Sequence, residues 1–159
     1  LGQDMVLPLV WGASIASYPF FGKTSETAGR LLALQGDCSI KELQRRMAEQ
    51  YGDRSGIERA VTRVMQSQTS WKALTRDETA KRVIKRQAVL IQDDELTAWL
   101  IEAAVRYAGK PIPVPSLQSL PVLLPFTLIR PLAYLASNSP DLVLRSEGPS
   151  SQFVELKRM

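Results

Sequence analysis

Residues 39–67 read SIKELQRRMAEQYGDRSGIERAVTRVMQS, and this stretch decides the fold. Ser39 with Glu42 three residues on is a capping box, a helix start in which side chains satisfy free backbone N–H groups. Ile40, Leu43, Met47 and Tyr51 then recur at i, i+3, i+7 and i+11, which places them on one buried helical stripe. Gly52-Asp53-Arg54 interrupts the period as a turn. Ser55-Gly56-Ile57-Glu58 is a second capping box and opens another helix to about Ser67. Its apolar face is Ile57, Ala60, Val61, Val64 and Met65. The opposite face carries Arg59, Thr62, Arg63 and Gln66 at i, i+3, i+4 and i+7, so four polar side chains project together.

Upstream, Thr24 or Ser25 caps a helix that runs to about Gln35, with Leu31, Leu32 and Leu34 on its apolar side and Gly36-Asp37 at its end. Downstream, Thr69 to Thr75 reads as a strand containing Trp71 and Leu74. Arg76-Asp77-Glu78-Thr79 is a polar turn, and Lys81 to Gln87 is the returning strand. The expected order is three helices and then a basic hairpin. From Ile40 to Arg86 there are 12 Lys and Arg against 6 Asp and Glu, a net of +6. The rest of the chain holds 8 basic and 10 acidic residues, a net of −2. A basic module in an otherwise slightly acidic chain is an electrostatic footprint for a polyanion.

On either side the patterning is plainer. Met5 to Phe21 reads as an apolar arm with short extended pieces, whose Trp11, Tyr18, Phe20 and Phe21 bury on their own chain or on a second copy. Asp93 caps a helix through Ala108 that Gly109 ends. The acids Asp93, Asp94 and Glu95 suit the positive end of its dipole. Its apolar face of Leu96, Trp99, Leu100, Ala103, Ala104 and Tyr107 packs on the basic module or on a second copy. Lys110-Pro111-Ile112-Pro113-Val114-Pro115 excludes helix and reads as an extended linker, the best domain boundary. Pro125-Phe126-Thr127 leads into a short helix ending near Ser137-Asn138. Leu142-Val143-Leu144 and Phe153-Val154-Glu155-Leu156 then form a hairpin around Glu147-Gly148-Pro149-Ser150. The fold class is therefore mainly α with a small β component, α+β. The expected units are an arm at 1–22, the basic module at 23–92, a helix at 93–109, and a linker with a small helix and hairpin module at 110–159.

Composition removes several function classes. The 159 residues include no histidine, which excludes Ser-His and Cys-His nucleophile pairs and imidazole metal ligands. One cysteine, Cys38, leaves no intrachain disulfide, and a cytoplasmic location is expected. No membrane span is expected, and Asp4, Pro8 and Gly12 argue against a signal peptide. Gly22-Lys23-Thr24 imitates the end of a phosphate-binding loop, but Ser17 stands where that loop needs its first glycine. Asp141, Glu155 and Lys157 resemble the PD-(D/E)xK nuclease pattern, in which two carboxylates hold Mg²⁺ and the lysine positions the attacking water.

The region from Thr24 to Arg86 resembles the winged helix-turn-helix superfamily of DNA-binding domains. That resemblance implies a third helix in a groove of double-stranded DNA and a basic wing on phosphates. The DNA-contacting residues it implies are Arg54, Ser55, Arg59, Thr62, Arg63, Gln66, Lys72, Arg76, Lys81, Arg82, Lys85 and Arg86. The hairpin departs from the family in lacking its Gly-aromatic ending. Tyr18-Pro19-Phe20, Gly29-Arg30-Leu31-Leu32, Tyr51-Gly52-Asp53-Arg54 and Arg63-Val64-Met65-Gln66-Ser67 are similar to strings in small accessory proteins of bacterial BREX-type phage-defence operons. This implies a non-catalytic DNA-binding or assembly subunit in antiviral defence. The expectation is a double-stranded DNA-binding protein, a phage-defence accessory subunit or a transcriptional regulator, with no cofactor, no metal and no catalytic residue. It would dimerise through the arm or the 93–109 helix, or join a protein partner in a multi-subunit system. The other readings are a protein-interaction adaptor and, third, the metal-dependent nuclease.

Overall fold

The computed structural model describes residues 3–52, 56–77 and 79–158. Six α-helices are described: α1 (Gln3–Ser17), α2 (Pro19–Gln35), α3 (Ile40–Tyr51), α4 (Ile57–Ser70), α5 (Asp94–Ala108) and α6 (Leu132–Asn138). Between them run β1 (Asp37–Ser39), β2 (Leu74–Asp77), β3 (Arg82–Lys85), β4 (Val89–Ile91), β5 (Ile112–Pro113), β6 (Phe126–Leu128), β7 (Leu142–Ser146) and β8 (Gln152–Leu156). Two 3-10 turns lie at Val114–Ser119 and Pro121–Leu123. The chain is a mixed α+β fold.

The N-terminal arm is helical, not extended. Pro8 lies inside α1 and costs it a ladder hydrogen bond, but Trp11 and Ile15 are fully buried and the helix packs along α5. Tertiary burial outweighs that local defect. Gly12 lies directly against the Trp99 indole, where any Cβ would clash. Pro19 occupies the first position of α2, where its fixed φ suits a helix start. The helix therefore begins five residues before Thr24. Thr24 and Ser25 are not caps. Both sit inside α2, and their hydroxyls donate back to the Phe20 and Phe21 carbonyls at 2.8 Å. Leu34, expected on the apolar side, is 84% exposed. α1 and α2 meet at a bend of 114°, and no single helix among the described residues is long and apolar enough to cross a membrane.

Ser39 caps α3 as its spacing predicts, accepting from the Glu42 N–H at 3.0 Å. Ile40, Leu43 and Met47 are its buried stripe. α4 is capped by Gly56 at φ 98°, and Ser55 of the expected capping box lies outside the described residues. α4 continues to Ser70 through the first two residues of the expected strand, and β2 begins only at Leu74. The reason is aromatic packing. Trp71 meets the rings of Trp11 at 6.4 Å and Phe21 at 5.8 Å, so the chain stays helical until that residue is delivered. Arg76 and Asp77, expected in a turn, extend β2; Asp77 Oδ1 accepts from the Thr79 and Ala80 N–H groups beyond it.

β1, β3 and β2 form an antiparallel sheet in that order, with Cys38 opposite Val83 and Arg76 opposite Val83 on the other side. Cys38 is buried, and burial pushes its thiol up to about 11. α5 spans its expected length, with Asp93 accepting from the Leu96 N–H at 2.9 Å and Gly109 closing it at φ 66°. Its apolar face is covered by α1 of the same chain. The proline-rich segment is extended as expected, but it does not run free. Ile112 is buried and pairs with Val154, so β5 joins β8 and β7 in a second antiparallel sheet. β4 and β6 form a short parallel pair. One apolar core runs from Trp11 through α5 to Val154, and a second links α2, α3, α4, β2 and β3.

Candidate nucleic-acid interface

α4 presents its polar face because Val61, Met65 and Gln68 hold the other side in the core. On the outer side Arg59, Arg63 and Gln66 are exposed. Neither arginine makes an ion pair with another described residue. The two guanidinium groups lie one helical turn apart, and each is a potential bidentate donor. Thr62 lies on the same face but is already engaged. Its hydroxyl donates to the Glu58 carbonyl at 3.0 Å and accepts from Gln44 Nε2 at 3.1 Å. Gln44 also donates to the Glu58 carbonyl at 3.1 Å, so this side chain of α3 clamps the first turn of α4. Arg54 and Ser55 lie outside the described residues.

The hairpin does not present its cations as one set. Register places Leu74, Arg76, Val83 and Lys85 on one face of the sheet with Cys38. Thr75, Asp77, Arg82 and Ile84 share the other face with Asp37. Arg82 is committed to Asp37 by two hydrogen bonds of 2.9 Å. The Arg82 guanidinium holds the Asp37 carboxyl below its ordinary value, and Asp37 in turn raises Arg82. Lys85 and Arg86 are exposed at the far end of β3.

Lys72 and Lys81 adopt positive φ, 63° and 53°, a region that side-chain-bearing residues rarely enter. Lys72 follows the cap of α4, its N–H donating to the Thr69 carbonyl at 2.9 Å. Lys81 precedes β3, and its carbonyl accepts from the Ile40 N–H at 3.1 Å. Each strained residue thus carries an exposed cation at one end of the hairpin. Asp37 and Gln44 were not singled out by the sequence, because each acts through a partner 45 or 14 residues away.

The tail constellation lies elsewhere. Asp141 and Lys157 are neighbours across β7 and β8, the Lys157 N–H donating to the Asp141 carbonyl at 2.9 Å. Glu155, opposite Val143, shares their face. Its carboxylate faces Arg145 at 3.6 Å. No group of three or more His, Cys, Asp or Glu among the described residues is placed to hold a metal ion. Gly22, Lys23 and Thr24 lie within α2 and form no phosphate-cradling loop. The chain matches no family model, no curated protein and no solved structure.

Proposed function

We propose that the chain is a non-catalytic protein that binds double-stranded DNA through a winged helix, with α4 in a groove and the β2–β3 hairpin against phosphates. The observation that carries this reading is the order α2–β1–α3–α4–β2–β3, closed by the antiparallel sheet β1-β3-β2. That order leaves Arg59, Arg63 and Gln66 exposed on the third helix of the unit. Charge supports the same reading, since the net positive charge concentrates between Ile40 and Arg86. The similarity of short strings to BREX accessory proteins makes a subunit of a bacterial phage-defence system the favoured setting.

The test is an electrophoretic shift with a random duplex at two salt concentrations. A shift that weakens steeply with salt is expected, because phosphate contacts release condensed counterions. No shift at either salt would reject DNA binding and leave the adaptor reading. Cleavage of the duplex on adding Mg²⁺ would replace the non-catalytic reading with the nuclease.

A further inference from the structure

A cleft of about 700 Å³ opens between α2, the C-terminal end of α5 and the proline-rich segment, on residues the DNA reading does not use. We propose that this cleft binds a small organic anion, a carboxylate, sulfonate or phosphate carried on a flat apolar body.

The charge at its wall selects an anion. Lys23, Arg30 and Lys110 line it against one carboxylate, Glu26. Glu26 lies between Lys23 at 3.1 Å and Arg30 at 3.6 Å, so its charge is already answered. Lys110 makes no ion pair with a described residue. A cationic wall beside low-dielectric surface concentrates anions. Tyr107 adds a donor. Burial, and then the nearby Glu26 charge, raise its phenol, so the hydroxyl keeps its proton.

The walls select a flat apolar body. Tyr51 and Tyr107 bring rings to the cleft, and Pro19, Pro111 and Pro121 supply stiff apolar surface. The shape is built in advance. Gly22 lets the Tyr107 ring lie directly on α2, and Gly29 lets the Pro121 carbonyl do the same about two turns further along. Pairing of Ile112 with Val154 ties the proline wall to the second sheet. A cleft of this size whose apolar rings and prolines stand beside a few convergent polar groups has the form of a small-ligand site.

The probe is 1-anilinonaphthalene-8-sulfonate, titrated by fluorescence against the intact chain, with neutral N-phenyl-1-naphthylamine as the uncharged counterpart. The sulfonate is expected to bind saturably with one equivalent per chain, at least about tenfold tighter than the neutral compound. Arg30→Gln with Lys110→Gln should weaken the sulfonate by about tenfold or more while leaving the melting temperature unchanged. Ala108→Trp, which fills the cleft from the half-buried end of α5, should abolish binding in a protein that still melts cooperatively. Absence of saturable sulfonate binding, equal affinity for the neutral compound, or full affinity in the Arg30 and Lys110 variant would each overturn the proposal.

Discussion

Arg82 and Asp37 meet diagonally across β3 and β1, with Arg82 Nε on Oδ2 and Nη2 on Oδ1, each at 2.9 Å. β1 has three residues, and this bidentate pair ties it to β3 beside the buried Cys38 and Val83 pair. The carboxyl is held below its ordinary value of 3.8 by Arg82. Its contribution is therefore fully present above the unfolded value and is lost as pH falls through the folded one. Melting temperature should fall more steeply below about pH 4 in the wild type than in Asp37→Asn. At neutral pH Asp37→Asn should be the less stable protein, and the two should converge as the carboxyl is protonated. Parallel melting curves of the two proteins from neutral pH down to pH 2 would refute the coupling.

The same pair divides the basic residues by role. Arg59 and Arg63 belong to no ion pair among the described residues and lie outside the buried stripe of α4. Replacing both by Ala should reduce duplex affinity by on the order of tenfold to a hundredfold. The melting temperature should hold within a degree or two, as for exposed sites away from packing. Unchanged affinity would move the reading face off α4.

Within the hairpin, Lys81 and Arg86 should behave as phosphate contacts. Neutralising both should weaken all duplex sequences alike and flatten the log–log salt slope by about 2 units. Arg82→Gln, by contrast, should lower stability more than it lowers affinity, because its guanidinium already serves Asp37. A sequence-selective loss from the Lys81 and Arg86 change would place base readout on the hairpin.

Legibility followed whether a feature was local. Ser39 with Glu42, and Asp93 with Gly109, name the ends of α3 and α5 because a cap and its partner lie within one turn. The N-terminal helices were hidden by residues with two readings. Pro8 reads as an interruption, yet it is tolerated inside α1, and Pro19, within a stretch that reads as an extended arm, starts α2. Thr24 and Ser25 read as caps, yet hydroxyls serve equally well folded back on a helix. β1, β4 and β6 are three-residue strands whose existence depends on partners far along the chain. The face of α4 was legible from its period. The loss of Thr62 and Arg82 to internal partners was not, because Gln44 and Asp37 are distant in sequence.

The positive φ of Lys72 makes a further prediction with a definite sign. A side chain in this region costs roughly 1–2 kcal/mol that glycine does not incur, offset in part by glycine's greater unfolded-state entropy. Lys72→Gly should therefore raise stability by up to about 1 kcal/mol, a few degrees in melting temperature for a chain of this size. Lys72→Val should lower it, because branching at Cβ worsens the clash. If Lys72 touches phosphate, the glycine variant should also bind duplex more weakly. A more stable, weaker-binding protein would show that the strain serves the interface.

Gln68 gives the last and sharpest prediction. It is fully buried in α4, its Nε2 donates to Ser25 Oγ in α2 at 2.7 Å, and its Oε1 has no hydrogen-bond partner among the described residues. Ser25 in turn donates to the Phe21 carbonyl. An orphaned buried amide oxygen is a standing cost, so this polar link is not there to maximise stability. Gln68→Met keeps the volume and removes the orphan, and should leave stability unchanged or raise it by about 1 kcal/mol. Gln68→Ala should cost about 2–4 kcal/mol, since it opens a cavity where α2 meets α4. Ser25→Ala strands the remaining amide donor and should cost about 1–3 kcal/mol. Combining Ser25→Ala with Gln68→Met should cost clearly less than Ser25→Ala alone, because no buried amide is then left unpaired. Urea unfolding of the four proteins closes the cycle. Strict additivity would mean that the 2.7 Å contact carries no coupling, and that the buried amide is satisfied in some other way.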